Sequence, residues 1–177
     1  LTGIYCGGLP PNSARGGLLL ASKAGLILDS ASVPPGAQRN TLPLSYVLAQ
    51  AFLNMYRWVN DGIAPPRTPF IATLANGNPK LDRNGNALGG LRLPELMVPA
   101  ATYGIAPGAC FLLGYKVPFR TMKMKAIYGT KGAYVADLER AAREDVARRL
   151  ISRAAARAIV AKARTIRPFG DSRRPGT

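Results

Sequence analysis

The stretch that decides the fold is Thr41-Leu-Pro-Leu-Ser-Tyr-Val-Leu-Ala-Gln-Ala-Phe-Leu-Asn-Met-Tyr-Arg-Trp-Val-Asn-Asp61. Leu44, Val47, Leu48, Ala51, Met55, Trp58 and Val59 recur at the spacing of one helical face, which predicts a helix over 41–61 with that face buried. Thr41 is placed to cap its first free amides, and Pro43 fits the first turn, where a missing N–H costs little. Gly62 and Pro65-Pro66 stop it.

Around that helix the composition is that of a folded protein with few regular elements. The chain has 177 residues, 47% of them hydrophobic, with 19 Gly and 15 Pro. The Gly and Pro gather in residues 1–40 and 62–118, which predicts an irregular lead-in before the helix and an extended wrap over 62–130 after it. The fold class expected is therefore α with extensive ordered coil and few or no strands. The apolar run Gly16–Leu28 is broken by Ser22 and Lys23 and is too short to span a bilayer, so no membrane span is expected. A short strand or helical turn fits Gly25–Leu28.

Residues 76–90 are dense in Asn and Gly, and turns are the expected outcome. Asp82, Asn84 and Asn86 match the first three ligands of a calcium loop, but Ala87 and Leu93 stand where that loop needs Gly and Glu. Gly85–Gly90 open like a phosphate loop, yet Leu91-Arg92 replace its Lys and Ser/Thr. Leu91–Pro99 and Ala100–Tyr103 read as extended and proline-punctuated, lying along a core rather than pairing in the middle of a sheet. Cys110–Leu113, leading to Pro118-Phe119, suggest a short buried turn.

A helical hairpin is predicted over 131–164. Tyr134, Leu138, Ala141, Ala142 and Val146 form its first apolar side. Ser152 caps the second helix, with Ala155, Ile159, Val160 and Ala163 as its stripe. Arg148, Arg149, Arg153, Arg157, Lys162, Arg164 and Arg167 make this end basic, and solvated helix faces account for them. Residues 165–177 read as a tail. The formal charge of +15 attracts polyanions whatever the fold, and a nucleic-acid-binding module using the Arg-rich hairpin is the alternative function. Only Tyr134 and Phe169 lie near that hairpin as stacking residues, so no specific nucleic-acid partner is expected.

Catalytic chemistry has no visible carrier. The chain contains no His, so neither a Ser-His-Asp nor a Cys-His arrangement can be built from it. No G-x-S-x-G elbow and no S-x-x-K occurs, and no carboxylate pair stands out among nine acidic residues. Cys6 and Cys110 lack metal-ligand spacing and permit one disulfide; Cys6 reads as inert. No catalytic residue, metal ligand or cofactor is assigned.

Three stretches together resemble the α/β-hydrolase domain proteins with an extended C-terminal region. Asn40-Thr-Leu-Pro-Leu with Tyr56-Arg-Trp-Val-Asn-Asp-Gly-Ile-Ala-Pro-Pro66 resembles the family's last long helix and its W-V-x-x-G-x-x-P-P exit. Asp82–Tyr103 is similar to its G-N-x-x-G-G-[VIL]-R-x-P-x-[VL]-x-V-P-x-A-T-Y signature. Cys110–Phe119 and Tyr128–Val135 resemble its C-terminal end. The resemblance implies that 41–177 is the C-terminal portion of an ester-bond hydrolase. The family's Ser and acid would lie upstream of Leu1, and its His upstream or within 1–40, where this sequence has none. The N-terminal remainder of that domain is the partner it implies, and Trp58, Arg92 and Tyr103 are its candidates for the substrate region. Ile105-Ala106 stand where the family has Trp-Asn after Tyr-x-Gly.

Overall fold

The computed structural model describes residues 4–5, 18–19, 21–22, 25–26, 34–105, 114–167 and 169. Cys6 and Cys110–Leu113 lie outside them. The fold is mostly helical, with one small three-stranded sheet, as suits part of an α/β-hydrolase-type domain. The chain divides into two compact units, Leu1–Thr41 with Ala101–Pro118, and Leu42–Ala100 with Phe119–Thr177.

The regular elements among the first unit's described residues are short strands. β1 (Ile4–Tyr5) pairs antiparallel with β2 (Leu18–Leu19), and β3 (Ala21–Ser22) with β4 (Gly25–Leu26). β5 (Gln38–Arg39), β6 (Ala101–Ile105) and β7 (Gly114–Pro118) form an antiparallel sheet with β7 in the middle. The lead-in therefore shares a sheet with residues from beyond position 100. The segment after Pro99 pairs as a strand, but on an edge, opposite a β7 that ends at Pro118, where a missing donor interrupts nothing further. Beside β7, Lys116 Nζ donates to Thr41 Oγ1 at 3.1 Å.

α1 (Leu44–Asp61) belongs to the second unit. The N-cap position belongs to Pro43, which makes no side-chain hydrogen bond, rather than to Thr41, because the helix begins only at Leu44. At the other end Gly62 takes φ 68°, letting its N–H reach Trp58 O at 3.2 Å and the Ile63 N–H reach Arg57 O at 3.3 Å.

In the second unit, α2 (Pro94–Met97) is one helical turn, started by a proline at its first position within a stretch expected to be extended. α3 (Thr121–Tyr128) also stands inside the expected wrap; its Met, Lys and Ala are good helix formers, and Met124 is fully buried. α4 (Lys131–Ala147) and α5 (Arg153–Thr165) make the hairpin, capped by Thr130, which accepts from Ala133 N at 3.1 Å, and by Ser152, which accepts from Ala155 N at 3.1 Å. Their inner faces close over Met124, Leu138 and Ile151, with Leu93, Phe119, Tyr134 and Ile159 around them. Phe169 is buried too, its ring 6.0 Å from that of Tyr134.

Residues 71–90 fold back twice. The bridges Ile71↔Gly89, Thr73↔Pro79 and Leu81↔Ala87 set three extended segments side by side, with Gly77 and Gly85 at positive φ in the two turns. Gly89 is needed at the closest approach, since a Cβ there would lie 2.1 Å from Phe70 O.

Candidate functional site

The site is built on α1, which presents an unexpected face. Its buried residues are Gln50 and Asn54, with Tyr46, Val47 and Arg57 half-buried beside them. The apolar stripe instead meets solvent: Leu44 is 64% exposed, Met55 52%, Trp58 56% and Val59 77%. The inward face is thus turned roughly 100° about the axis from the apolar one. The expected burial of Trp58 and its neighbours does not occur within this chain's described residues, because no described element covers that stripe.

What turns the helix is a polar network. Gln50 Nε2 donates to Asn54 Oδ1 at 3.0 Å, and Asn54 Nδ2 donates to the Arg149 carbonyl at 2.9 Å. Arg149 holds φ 57° in the corner between α4 and α5, and its guanidinium donates to Ala64 O at 2.9 Å. One arginine thereby grips both α1 and the chain leaving it. Arg149 is a structural clamp, not one more solvated cation of the basic end. Neither Gln50 nor Asn54 was visible as an anchor in the sequence; the one signal was their spacing of four within a long helix.

Between α1, its proline exit and the corner lies a cavity of about 330 Å³. Met55, Trp58, Pro65, Pro66, Leu91 and Leu150 supply apolar walls, and Asn54, Thr68 and Arg149 the polar edge. Such a cleft can hold an apolar group; among its described lining residues Thr68 offers a hydroxyl, with no carboxylate or imidazole beside it to act as base.

The three candidate side chains do not converge on it. Trp58 lines it. Arg92 does not: its Nη2 donates to Asp82 Oδ2 and to Leu96 O, both at 2.6 Å, pinning the 82–86 turn to α2. Tyr103 belongs to the other unit, in β6, opposite Lys116. Asp82 is occupied as well, its Oδ1 accepting from Asn84 N at 2.8 Å and Asn86 N at 3.0 Å. Burial pushes its pKa upward, but the Asn86 amide, Arg92 and the Asn84 amide outweigh that and hold it below the ordinary 3.8. The carboxylate holds the turn, and among the described residues there is no group of three His, Cys, Asp or Glu that could hold a metal.

A second locus joins α2 to α4. Asp145 is fully buried with neither carboxyl oxygen hydrogen-bonded, and Glu95 Oε2 is likewise buried without a partner. Burial raises Asp145 to about 6; Arg148 works against this, and Glu144 and Glu95 add to it. Burial also lifts Glu95, against its own amide and Lys162. Tyr134 is pushed up to about 12 by burial and by Glu95. Burial raises Tyr128 further still, with Tyr134 and Asp137 adding to the effect; its hydroxyl donates to Pro99 O at 2.9 Å, and its ring meets that of Tyr134 edge-on at 5.1 Å. Asp145 is a buried acid that keeps its proton to a higher pH than an ordinary carboxyl does. Its place one helical repeat beyond Leu138 was the sequence signal for its burial.

A family model described as an alpha/beta hydrolase domain matches residues 19–161. No curated protein and no solved structure matches the chain significantly. No described helix is long and apolar enough to cross a membrane.

Proposed function

The chain belongs to the alpha/beta hydrolase domain family, and from that premise we propose that it supplies the C-terminal portion of an ester-bond hydrolase and is not catalytic alone. One observation carries the proposal: along the apolar stripe of α1, Leu44, Leu48, Ala51, Met55, Trp58 and Val59 are exposed, while Val47 is half-buried. A stripe of that length on a single helix is made to be covered. An N-terminal remainder of the domain would cover the stripe and also supply the Ser, acid and His that a hydrolase of this fold needs, since this chain has no His. In the complete domain 41–177 would contribute the closing helix, the wrap and the hairpin. Trp58 would form part of the wall beside the ester's apolar group, while Arg92 would act as a brace and Tyr103 as a contact offered by β6.

The complete enzyme would run acyl transfer: the upstream Ser attacks the ester carbonyl, the His takes its proton, and donors near the nucleophile hold the oxyanion. This chain's share is to shape the apolar wall and exclude water there.

The test joins the chain to the reading frame upstream of Leu1 and assays p-nitrophenyl esters. Turnover by the joined protein and none by the chain alone is the expected result. Turnover by the chain alone, abolished by a point change inside it, overturns the reading, as does a joined protein in which Trp58 stays as open to acrylamide quenching as before.

A further inference from the structure

We propose that the outer groove between α4 and α5 is a docking site for an acidic amphipathic helix of a partner protein. The inference does not rest on the hydrolase reading, because the groove uses neither α1 nor its cavity.

The groove has a volume of about 730 Å³. Its floor is apolar and low, formed by Ala142 and Val146 from α4 and by Ala156 and Val160 from α5. Small side chains on a floor between two helices let a third helix approach to the ordinary packing distance of about 8–10 Å. Its rim carries the arginines Arg143, Arg153, Arg157 and Arg164 and one acid, Glu139. Arg153, Arg157 and Arg164 stand along one edge of α5, all exposed and none in an ion pair among the described residues. Arg143, on the α4 side, is already bonded to Glu139 at 2.9 Å.

Spacing identifies the occupant. From Arg153 to Arg164 the rim runs about 16 Å, three helical turns at about 1.5 Å per residue. A fatty acid has one carboxylate and would leave most of that edge without a counter-charge. A nucleic-acid strand would press phosphates against an apolar floor, and among the described lining residues there is no aromatic side chain for a base to stack on. A helix with a Leu-type stripe and Asp or Glu beside it supplies both the apolar ridge and repeated anions at matching intervals.

The experiment titrates the 177-residue chain into a labelled Leu/Glu amphipathic peptide of about five turns at physiological salt, read by anisotropy. Because a +15 chain attracts any polyanion, a scrambled peptide of identical composition is the control. The expected result is that the amphipathic peptide binds about tenfold or more tightly than the scramble. Reversing Arg153, Arg157 and Arg164 to Glu should remove that advantage. R153Q with R157Q should weaken it in the same direction, and Ala156→Trp, which fills the floor, should abolish it with the circular dichroism unchanged. Equal binding of the scramble, indifference to the charge changes, or a stronger signal from a Lys twin, dodecanoate or duplex DNA overturns the proposal.

Discussion

Replacing Asp145 by Asn should stabilise the protein at neutral pH and lose that benefit as the pH falls. In the folded chain the carboxyl is fully buried with neither oxygen paired, and its pKa stands at about 6 against an ordinary 3.8. A folded pKa above the unfolded one means that the native state prefers the protonated acid. Wild-type stability from this group is therefore complete below about pH 3.8 and declines as pH rises, until the full penalty applies above about 6. The penalty is about 3 kcal/mol, at about 1.36 kcal/mol for each pH unit between the two values. The groups facing the carboxyl are Arg148 and Glu144 on its own helix and Glu95 from α2; removing the charge also relieves Glu95, which acts in the same direction. Asn carries its own burial cost, but that cost does not change with pH. Urea titrations followed by far-ultraviolet circular dichroism, from about pH 3.5 to about pH 7.5, should show the variant gaining on the wild type by about 3 kcal/mol across that window. A difference that stays flat with pH would refute the reasoning and mean that Asp145 is paired or hydrated.

Trp58→Ala should cost the 177-residue chain less than about 1 kcal/mol in thermal melts, but about 3–5 kcal/mol in the joined domain, where the stripe is covered. Asn54→Ala should cost about 1–3 kcal/mol, because it strands both Gln50 and the Arg149 carbonyl; a variant that unfolds at the wild-type urea concentration would remove the network from the account. Gly89→Ala, which forces a Cβ against Phe70 O from a φ of 76°, should cost more than about 1 kcal/mol and weaken amide protection at Ala72 and Leu88; unchanged exchange there would show that the 71–90 segments shift to make room.

Periodicity located α1 and the hairpin because a period of 3.6 needs no knowledge of partners. It misjudged what α1 buries for the same reason: Leu44, Met55 and Trp58 mark a face that wants cover, and spacing cannot say whether the cover is in the same chain. Gln50 and Asn54 were passed over because polar residues on a helix read as solvent-facing unless a distant carbonyl, here that of Arg149, is known to be waiting. Asp145 was hidden among Arg143, Glu144 and Arg148, although it continues the line of Tyr134, Leu138 and Ala141 at helical spacing. α2 and α3 were lost to proline density, which marks where helices cannot continue more reliably than where they start. Of the candidate side chains, Trp58 alone lines the cavity; Arg92 proved to be committed to Asp82, a partner ten positions away that turn chemistry by itself does not pair.

Arg149 stands at φ 57°, which costs a side-chain-bearing residue about 1 kcal/mol or more. The corner offsets that locally: the Arg149 N–H reaches Val146 O at 3.0 Å and the Leu150 N–H reaches Asp145 O at 2.8 Å, the paired bonds of a left-handed helix end. The carbonyl of that same left-handed residue is the one that accepts from Asn54 Nδ2, 95 positions earlier in the chain. The stop signal of α4 thus doubles as the acceptor that sets which face α1 turns inward.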